Sequence, residues 1–238
     1  MGAEGIGLSG AVIAFDLDGT LVDTAPDLVS TLNVLMGAEG LPPLPLHEAR
    51  PFIGRGAKWL VERGFQAANT PLRAERLEPL FQRFLAHYQA HIADESRPFP
   101  GVVAALEALK AEGARLSVCT NKLTGLSVRL LDALGLSPLF DAVVGADLAP
   151  APKPDPRHLE AAIAAAGGIP ARAILVGDAA TDAGAARAAR VPLILVSFGY
   201  TEIAPADLKP DVLIDHFDAL PAACRRLLGA CDPPAGGL

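Results

Sequence analysis

Short apolar runs recur along the chain at 11–15, 115–119, 142–144, 173–176 and 193–196, with a weaker sixth at 212–214. Their length and aliphatic content suit parallel strands buried on both faces. Stretches with helical spacing of apolar residues separate most of them, as at 102–112 and at 124–134, where Gly135 follows as a helix stop. From about residue 98 onward the alternation predicts a doubly wound α/β core with a Rossmann-like parallel sheet.

Between the first run and the second lie roughly 95 residues without a convincing strand, far more than one crossover helix needs. The pattern there is helical. Thr24-Ala25-Pro26-Asp27 offers a cap, an early proline and a first-turn acid, and Leu28, Leu32, Leu35 and Met36 follow at helical spacing. Leu77, Leu80, Phe81, Phe84, Leu85, Tyr88 and Ile92 repeat that spacing in a longer helix. Residues 1–22 and 98–238 are therefore expected to form the core, and 23–97 an inserted all-helical subdomain placed to cover whatever the end of the first strand binds. Trp59 and Phe65 are expected in the core of that insertion.

Composition narrows the partners. The 238 residues are 51% hydrophobic, enough for a sizeable core, and carry a net charge of -7, which argues against a nucleic-acid backbone as partner. The three cysteines, Cys119, Cys224 and Cys231, lack metal-ligand spacing and are odd in number, as expected in a reducing cytoplasm. Met1-Gly2-Ala3-Glu4 has no basic region, Ile6 stands where a myristoylation signal wants Ser or Thr, and no run reaches the ~18 apolar residues of a membrane span. A soluble cytoplasmic protein without membrane contact is expected, with 232–238 as a frayed tail.

The candidate chemistry lies at strand ends. Asp16 and Asp18, in Phe15-Asp16-Leu17-Asp18-Gly19-Thr20, close the first strand, at the sheet edge where open α/β folds bind ligands. Two acids two residues apart can project to one side of an extended chain, where their repulsion calls for a cation or a shared proton. A magnesium ion suits such oxygens while also binding phosphate. The second strand ends in Thr120-Asn121, the loop after the third carries Lys153 between two prolines, and the fourth ends in Gly177-Asp178 with Asp182 four residues on. Singly, these read as a helix cap, a surface charge and helix N-terminal acids. Their joint occurrence at successive strand ends favours a site. His87 and His91 have the spacing of a metal pair, but no third ligand accompanies them and a surface or structural role is expected.

Phe15-Asp16-Leu17-Asp18-Gly19-Thr20-Leu21-Val22-Asp23-Thr24, Thr120-Asn121, Lys153-Pro154 and Gly177-Asp178 through Asp182 resemble the four ordered motifs of the haloacid dehalogenase superfamily. Within it the chain is similar to bacterial phosphoglycolate phosphatases, through Asp23-Thr24-Ala25-Pro26-Asp27-Leu28, Thr120-Asn121-Lys122, Lys153-Pro154-Asp155-Pro156 and Val196-Ser197-Phe198-Gly199-Tyr200. The resemblance implies that Asp16 is the nucleophile, forming an aspartyl phosphate, and that Asp18 is the general acid and base. It implies that Asp16, Asp178 and the Asp18 carbonyl hold Mg2+. Asp182 would orient Lys153 or a metal-bound water, while Thr120, the Asn121 amide and Lys153 would bind the transferring phosphoryl oxygens. The expected substrate is a small phosphorylated metabolite, 2-phosphoglycolate foremost, turned over by a monomer or homodimer. Substrate choice is expected in Arg50-Pro51-Phe52-Ile53-Gly54-Arg55-Gly56-Ala57-Lys58, where Arg50, Arg55 and Lys58 supply charge and Gly54 and Gly56 allow close backbone approach.

A sugar phosphomutase of the superfamily is the nearest alternative, although such enzymes typically carry serine in place of Thr120 and lack an acid at Asp182. Pyrophosphatase or broad sugar and nucleotide phosphatase activity stays open. The non-enzymatic alternatives are a phospho-accepting receiver, which would carry its acid after a later strand, and an inactive binding protein, which would not retain the complete acid and lysine set.

Overall fold

A computed structural model describes residues 7–231. The expectations for the N-terminal residues through Ile6 and for the tail 232–238 lie outside the described residues, as does the Cys231 side chain. In chain order the elements are β1 (Val12–Phe15), β2 (Val22–Asp23), α1 (Ala25–Ala38), α2 (Leu46–Ala49), α3 (Ala57–Ala67), α4 (Ala74–Ala90), β3 (Arg97–Pro98), α5 (Val102–Ala111) and β4 (Arg115–Thr120). Then follow α6 (Thr124–Ala133), β5 (Ala142–Gly145), α7 (Pro156–Ala165), β6 (Ala173–Gly177), α8 (Ala180–Ala189), β7 (Leu193–Val196), β8 (Val212–Ile214) and α9 (Leu220–Cys231).

Six strands form one parallel sheet in the order β5-β4-β1-β6-β7-β8. All six correspond to apolar runs read from the sequence. Alternation along each strand divides its side chains between two helical layers. Ile13, Phe15, Leu116, Val118, Ile174 and Val176 meet Leu106 and Leu109 of α5, Leu130 and Leu131 of α6 and Leu220, Cys224 and Leu228 of α9. Val12, Ala14, Leu175, Leu193 and Leu195 meet Leu159 and Ile163 of α7 and Ala183, Ala185 and Ala186 of α8. Small side chains on α8 let that helix lie close to the sheet. Cys119 and Cys224 are free buried thiols, and burial pushes both up to about 12, so neither is a thiolate at neutral pH.

β1 lies inside the sheet with β4 on one side and β6 on the other. Phe15 is in register with Val118 and with Val176, so the ends of the three strands are level. The strand order reverses beside β1, which brings Asp16, Thr120 and Asp178 to one crevice.

The helical insertion departs through β2 and returns through β3, a short antiparallel pair that the sequence did not disclose, with Val22 opposite Pro98 and Asp23 opposite Arg97. Its own core gathers Leu28, Leu32 and Met36 of α1, Leu60 and Phe65 of α3, and Leu80, Phe84 and Tyr88 of α4. A Cβ at Gly64 would stand 2.8 Å from the Leu32 side chain, which explains how α1 and α3 approach so closely. Trp59 is half-buried and lies outside this core. It is flanked by Arg55 and Arg63, whose guanidinium carbons are 5.0 and 5.5 Å from its ring centroid.

Two residues expected to start α1 work differently. The Thr24 hydroxyl makes no cap bond and donates to Asp18 Oδ1 at 2.8 Å. Asp27 accepts from the Ser96 hydroxyl at 2.6 Å and from the Ser96 and Glu95 backbone amides, and so clasps the two ends of the insertion. No helix among the described residues is long and apolar enough to cross a membrane.

Candidate active site

The chain turns sharply after Asp16. Gly19 adopts a φ of +86°, and a Cβ there would stand 2.7 Å from Asp178 Oδ2, so both conformation and space require glycine. At Gly199 a Cβ would stand 2.1 Å from Asp178 Cβ. The backbone is thus packed around Asp178, whose Oδ1 accepts from the Thr20 hydroxyl and Oδ2 from the Tyr200 amide, each at 2.8 Å.

Asp16 and Lys153 are buried at the centre. Asp16 Oδ1 accepts from the Leu17 amide at 2.7 Å and lies 3.1 Å from Lys153 Nζ. Among the described residues no donor reaches its Oδ2. Lys153 Nζ also donates to Asp182 Oδ1 at 2.6 Å, while Asp182 Oδ2 accepts from the Asp178 and Ala179 amides. Both oxygens of Asp182 are therefore committed to protein donors.

Carboxylate oxygens of Asp16, Asp178 and Asp182 come within 4.8 Å of one another. Three buried acids gather around one buried lysine, which pairs with Asp16 and Asp182, an excess of negative charge that fits a divalent cation. Burial holds the Asp16 carboxyl well above its ordinary pKa; Lys153 opposes this, and Asp182 and Asp18 add to it. Burial also raises Asp178, reinforced by the charges of Asp16 and Asp182. Burial disfavours the Lys153 ammonium, but the flanking Asp16 and Asp182 outweigh it and its pKa is raised.

Asn121 joins three segments. Its side-chain nitrogen donates to the Lys153 and Gly54 carbonyls at 3.1 and 3.2 Å, and its side-chain oxygen accepts from the Lys153 amide at 2.9 Å. The loop carrying Lys153 is thus tied to the end of β4, and the inserted loop is tied to both. His158 gives further support: it is buried, its Nδ1 lies 3.2 Å from the Lys153 amide, and its Nε2 lies 3.1 Å from the Val144 carbonyl. The neutral tautomer that accepts at Nδ1 and donates at Nε2 fits both contacts, and burial together with the nearby Lys153 charge pulls its pKa down to about 4. Nothing in the sequence distinguished His158 from an ordinary residue in the first turns of a helix.

A cleft of about 310 Å³ opens from Asp16, Asp18, Thr120 and Asn121 toward the insertion, where Gly54, Arg55, Gly56 and Lys58 line it together with Leu28, Leu60, Phe81 and Tyr88. Gly54 and Gly56 have φ values of +105° and +90°. Arg50 is turned away from this cleft: its guanidinium grips Asp23 at 2.8 and 2.9 Å and lies 4.9 Å from the centroid of the Tyr200 ring. Lys58 pairs with Glu78 at 2.6 Å, and Arg55 stacks on Trp59. His87 and His91 stack on each other with centroids 4.4 Å apart; His87 faces the Thr31 hydroxyl and His91 pairs with Asp94, and neither joins the acidic group.

Sequence reasoning gave no role to Lys122. Its Nζ donates to Asp18 at 2.9 and 3.2 Å and to the Tyr88 hydroxyl at 2.8 Å, and it is almost fully buried. The only sign was its place beside Thr120-Asn121, since its partners come from β1's exit and from α4.

Residues 11–190 match the sequence profile of the haloacid dehalogenase-like hydrolases. The chain belongs to that family. A phosphoglycolate phosphatase of Caulobacter vibrioides is 59% identical over 231 residues, covering 97% of this chain and 98% of that protein. A phosphoglycolate phosphatase of Agrobacterium fabrum is 46% identical, covering 90% and 92%. Among solved structures, a predicted phosphoglycolate phosphatase from Haemophilus somnus superposes with a TM-score of 0.85 at 32% identity, covering 92% of this chain and 99% of that one. This hydrolase therefore matches its relatives across both the sheet and the insertion.

Proposed function

We propose that this family hydrolase is a Mg2+-dependent phosphatase that converts 2-phosphoglycolate to glycolate and phosphate. The observation that carries the reading is Asp16: a buried carboxylate whose Oδ1 is held by Leu17 and Lys153 while Oδ2, at the head of the cleft, meets no donor among the described residues. That is the state of an aligned nucleophile. The names of the full-length relatives support the choice of substrate.

In this reading Asp16 Oδ2 attacks phosphorus, the bond from phosphorus to the glycolate oxygen breaks, and Asp18 gives its proton to the leaving alkoxide. Water then attacks phosphorus of the aspartyl phosphate and yields a proton to Asp18, so that phosphate leaves and Asp16 is restored. Thr120, the Asn121 amide and Lys153 receive the transferring oxygens. Asp16, Asp178 and the Asp18 carbonyl would hold Mg2+, which would supply charge neutralisation for the phosphoryl group. The commitment of both Asp182 oxygens to Lys153 and backbone amides supports a positioning role rather than direct ligation. Residues 23–97 serve as the lid that excludes water, with the Arg55 and Lys58 segment as one wall. The natural setting is a cytoplasmic pool of small phosphorylated metabolites.

Phosphate release with Mg2+ from 2-phosphoglycolate, glucose 1-phosphate, pyrophosphate and a nucleotide tests this, with a chelator control. The highest kcat/KM is expected for 2-phosphoglycolate. A higher value for any of the others overturns the substrate, and undiminished turnover in chelator overturns the metal.

A further inference from the structure

The inserted loop, which carries the cations expected to recognise substrate, presents no unengaged charge to the cleft. Arg50 is held by Asp23, Lys58 by Glu78, and Arg55 by the Trp59 ring. Lys122, which shares the cleft with Arg55 and Lys58, differs from all three in being buried directly against Asp18. It lines the cleft, it is 7% exposed, and its Nζ stands within hydrogen-bond distance of both Asp18 oxygens.

From that juxtaposition we infer that Lys122, with the Tyr88 hydroxyl, is the subsite for a carboxylate attached one carbon from the scissile ester oxygen. The inference deepens the substrate reading above and rests on it. Asp18 must reach the ester oxygen to protonate it, and Lys122 Nζ is 2.9 Å from Asp18 Oδ1. In 2-phosphoglycolate the carboxyl carbon is separated from that same oxygen by a single methylene. A cation beside the proton donor therefore stands where that carboxylate has to lie.

The donors are available. An ammonium has three N–H groups, and here Asp18 engages it through both oxygens, so a shift to one contact frees a donor. The Tyr88 oxygen accepts from Lys122 at 2.8 Å, and its own hydrogen has no acceptor among the described residues. Leu28, Phe81, Leu85 and Leu126 line the same cleft, so a carboxylate held there is shielded from water and its charge-assisted bonds are strong. A substrate without the carboxylate gains none of these bonds: Lys122 stays on Asp18 and the Tyr88 hydrogen is left without an acceptor, which is how a buried polar subsite disfavours such an analogue.

The test compares kcat/KM for 2-phosphoglycolate, ethyl phosphate and the phosphate ester of 3-hydroxypropionate in the Mg2+-loaded full chain. Ethyl phosphate lacks the carboxylate, and the 3-hydroxypropionate ester moves it one methylene further out. The native protein is expected to prefer 2-phosphoglycolate over both. In Lys122→Met the ratio of 2-phosphoglycolate to ethyl phosphate should collapse by about 100-fold, the worth of a buried charge-assisted contact. Using a ratio cancels any loss that arises through Asp18. Tyr88→Phe should lower the same ratio by roughly fivefold to tenfold, and it supplies the answer if Lys122→Met does not fold. A native protein without preference for 2-phosphoglycolate over ethyl phosphate refutes the substrate reading. A preference that survives intact in both variants refutes the subsite alone.

Discussion

The sheet edge and the helical insertion both carry charge, but they treat it in opposite ways. At the sheet edge Asp16, Lys153, Asp178 and Asp182 are buried and partnered with each other and with backbone amides. On the insertion Lys58, Arg76 and Arg83 are half-exposed and pair with Glu78 and Glu39 along its surface. Short acids on level strand ends are placed by backbone register, whereas long cations on a helical surface find partners in solvent, where such pairs contribute little. Chemistry is therefore fixed by the sheet. The cleft between them is lined from both sides, by Lys122 from the core and by Tyr88 from the insertion.

The largest effect that would break this contrast is at Asp16, the proposed nucleophile. Asp16→Asn is expected to lower kcat by about 10^5-fold or more, measured by phosphate release, in line with losses seen when a nucleophile is removed. Full turnover in that variant would remove the sheet edge from the chemistry altogether. Next comes Lys153→Met, which leaves buried Asp16 and Asp182 without their shared cation. Unfolding in denaturant with chelator present should show a loss of about 3–5 kcal/mol, and turnover should fall steeply. An unchanged midpoint would mean that the acids do not depend on Lys153.

The pH dependence follows from the raised carboxyls. Asp16 and Asp178 are raised by burial to about 7 and about 8, above the ordinary aspartate value near 3.8. The unfolded chain ionises these groups first, so without metal their contribution to stability is fullest below pH about 4 and is lost as pH rises through about 7 to 8. A divalent cation binds the ionised form and competes with protons. Melting temperatures are expected to respond to Mg2+ more strongly at pH 8 than at pH 6, and an equal response would count against metal binding by these acids.

A smaller effect tests the packing. Gly199→Ala pushes a methyl group into Asp178 and should cost about 1–3 kcal/mol together with weaker Mg2+ dependence of turnover. The smallest belongs to the insertion surface. Lys58→Ala should change kcat/KM on 2-phosphoglycolate by less than about tenfold, whereas a loss to rival Lys153→Met would move substrate recognition onto the inserted loop.

The strands could be read from the chain because each buried run is continuous and local, and the acids could be read because they sit at the ends of those runs. What escaped was tertiary. Asp27 looked like a first-turn acid, but its partner Ser96 lies 69 positions away. Thr24 looked like a cap and instead holds Asp18. Lys122 has partners 34 and 104 positions away, and no periodicity announces such a meeting. His158 lies on a helix face whose burial depends on the loop packed against it. Trp59 was read as core because of its size, yet its ring is occupied by two guanidinium groups at the rim. The β2 and β3 pair is too short to leave any pattern.

That pair and the Asp27 clasp also bear on modularity. Both ends of the insertion meet at Val22–Asp23 and Arg97–Pro98, so the chain enters and leaves the helical segment at one place. A bridge of a few residues spanning so small a gap adds little closure entropy. The two walls of the cleft are thus joined through one short hinge-sized junction, with Tyr88 on the inserted side and Asp16 and Lys122 on the other.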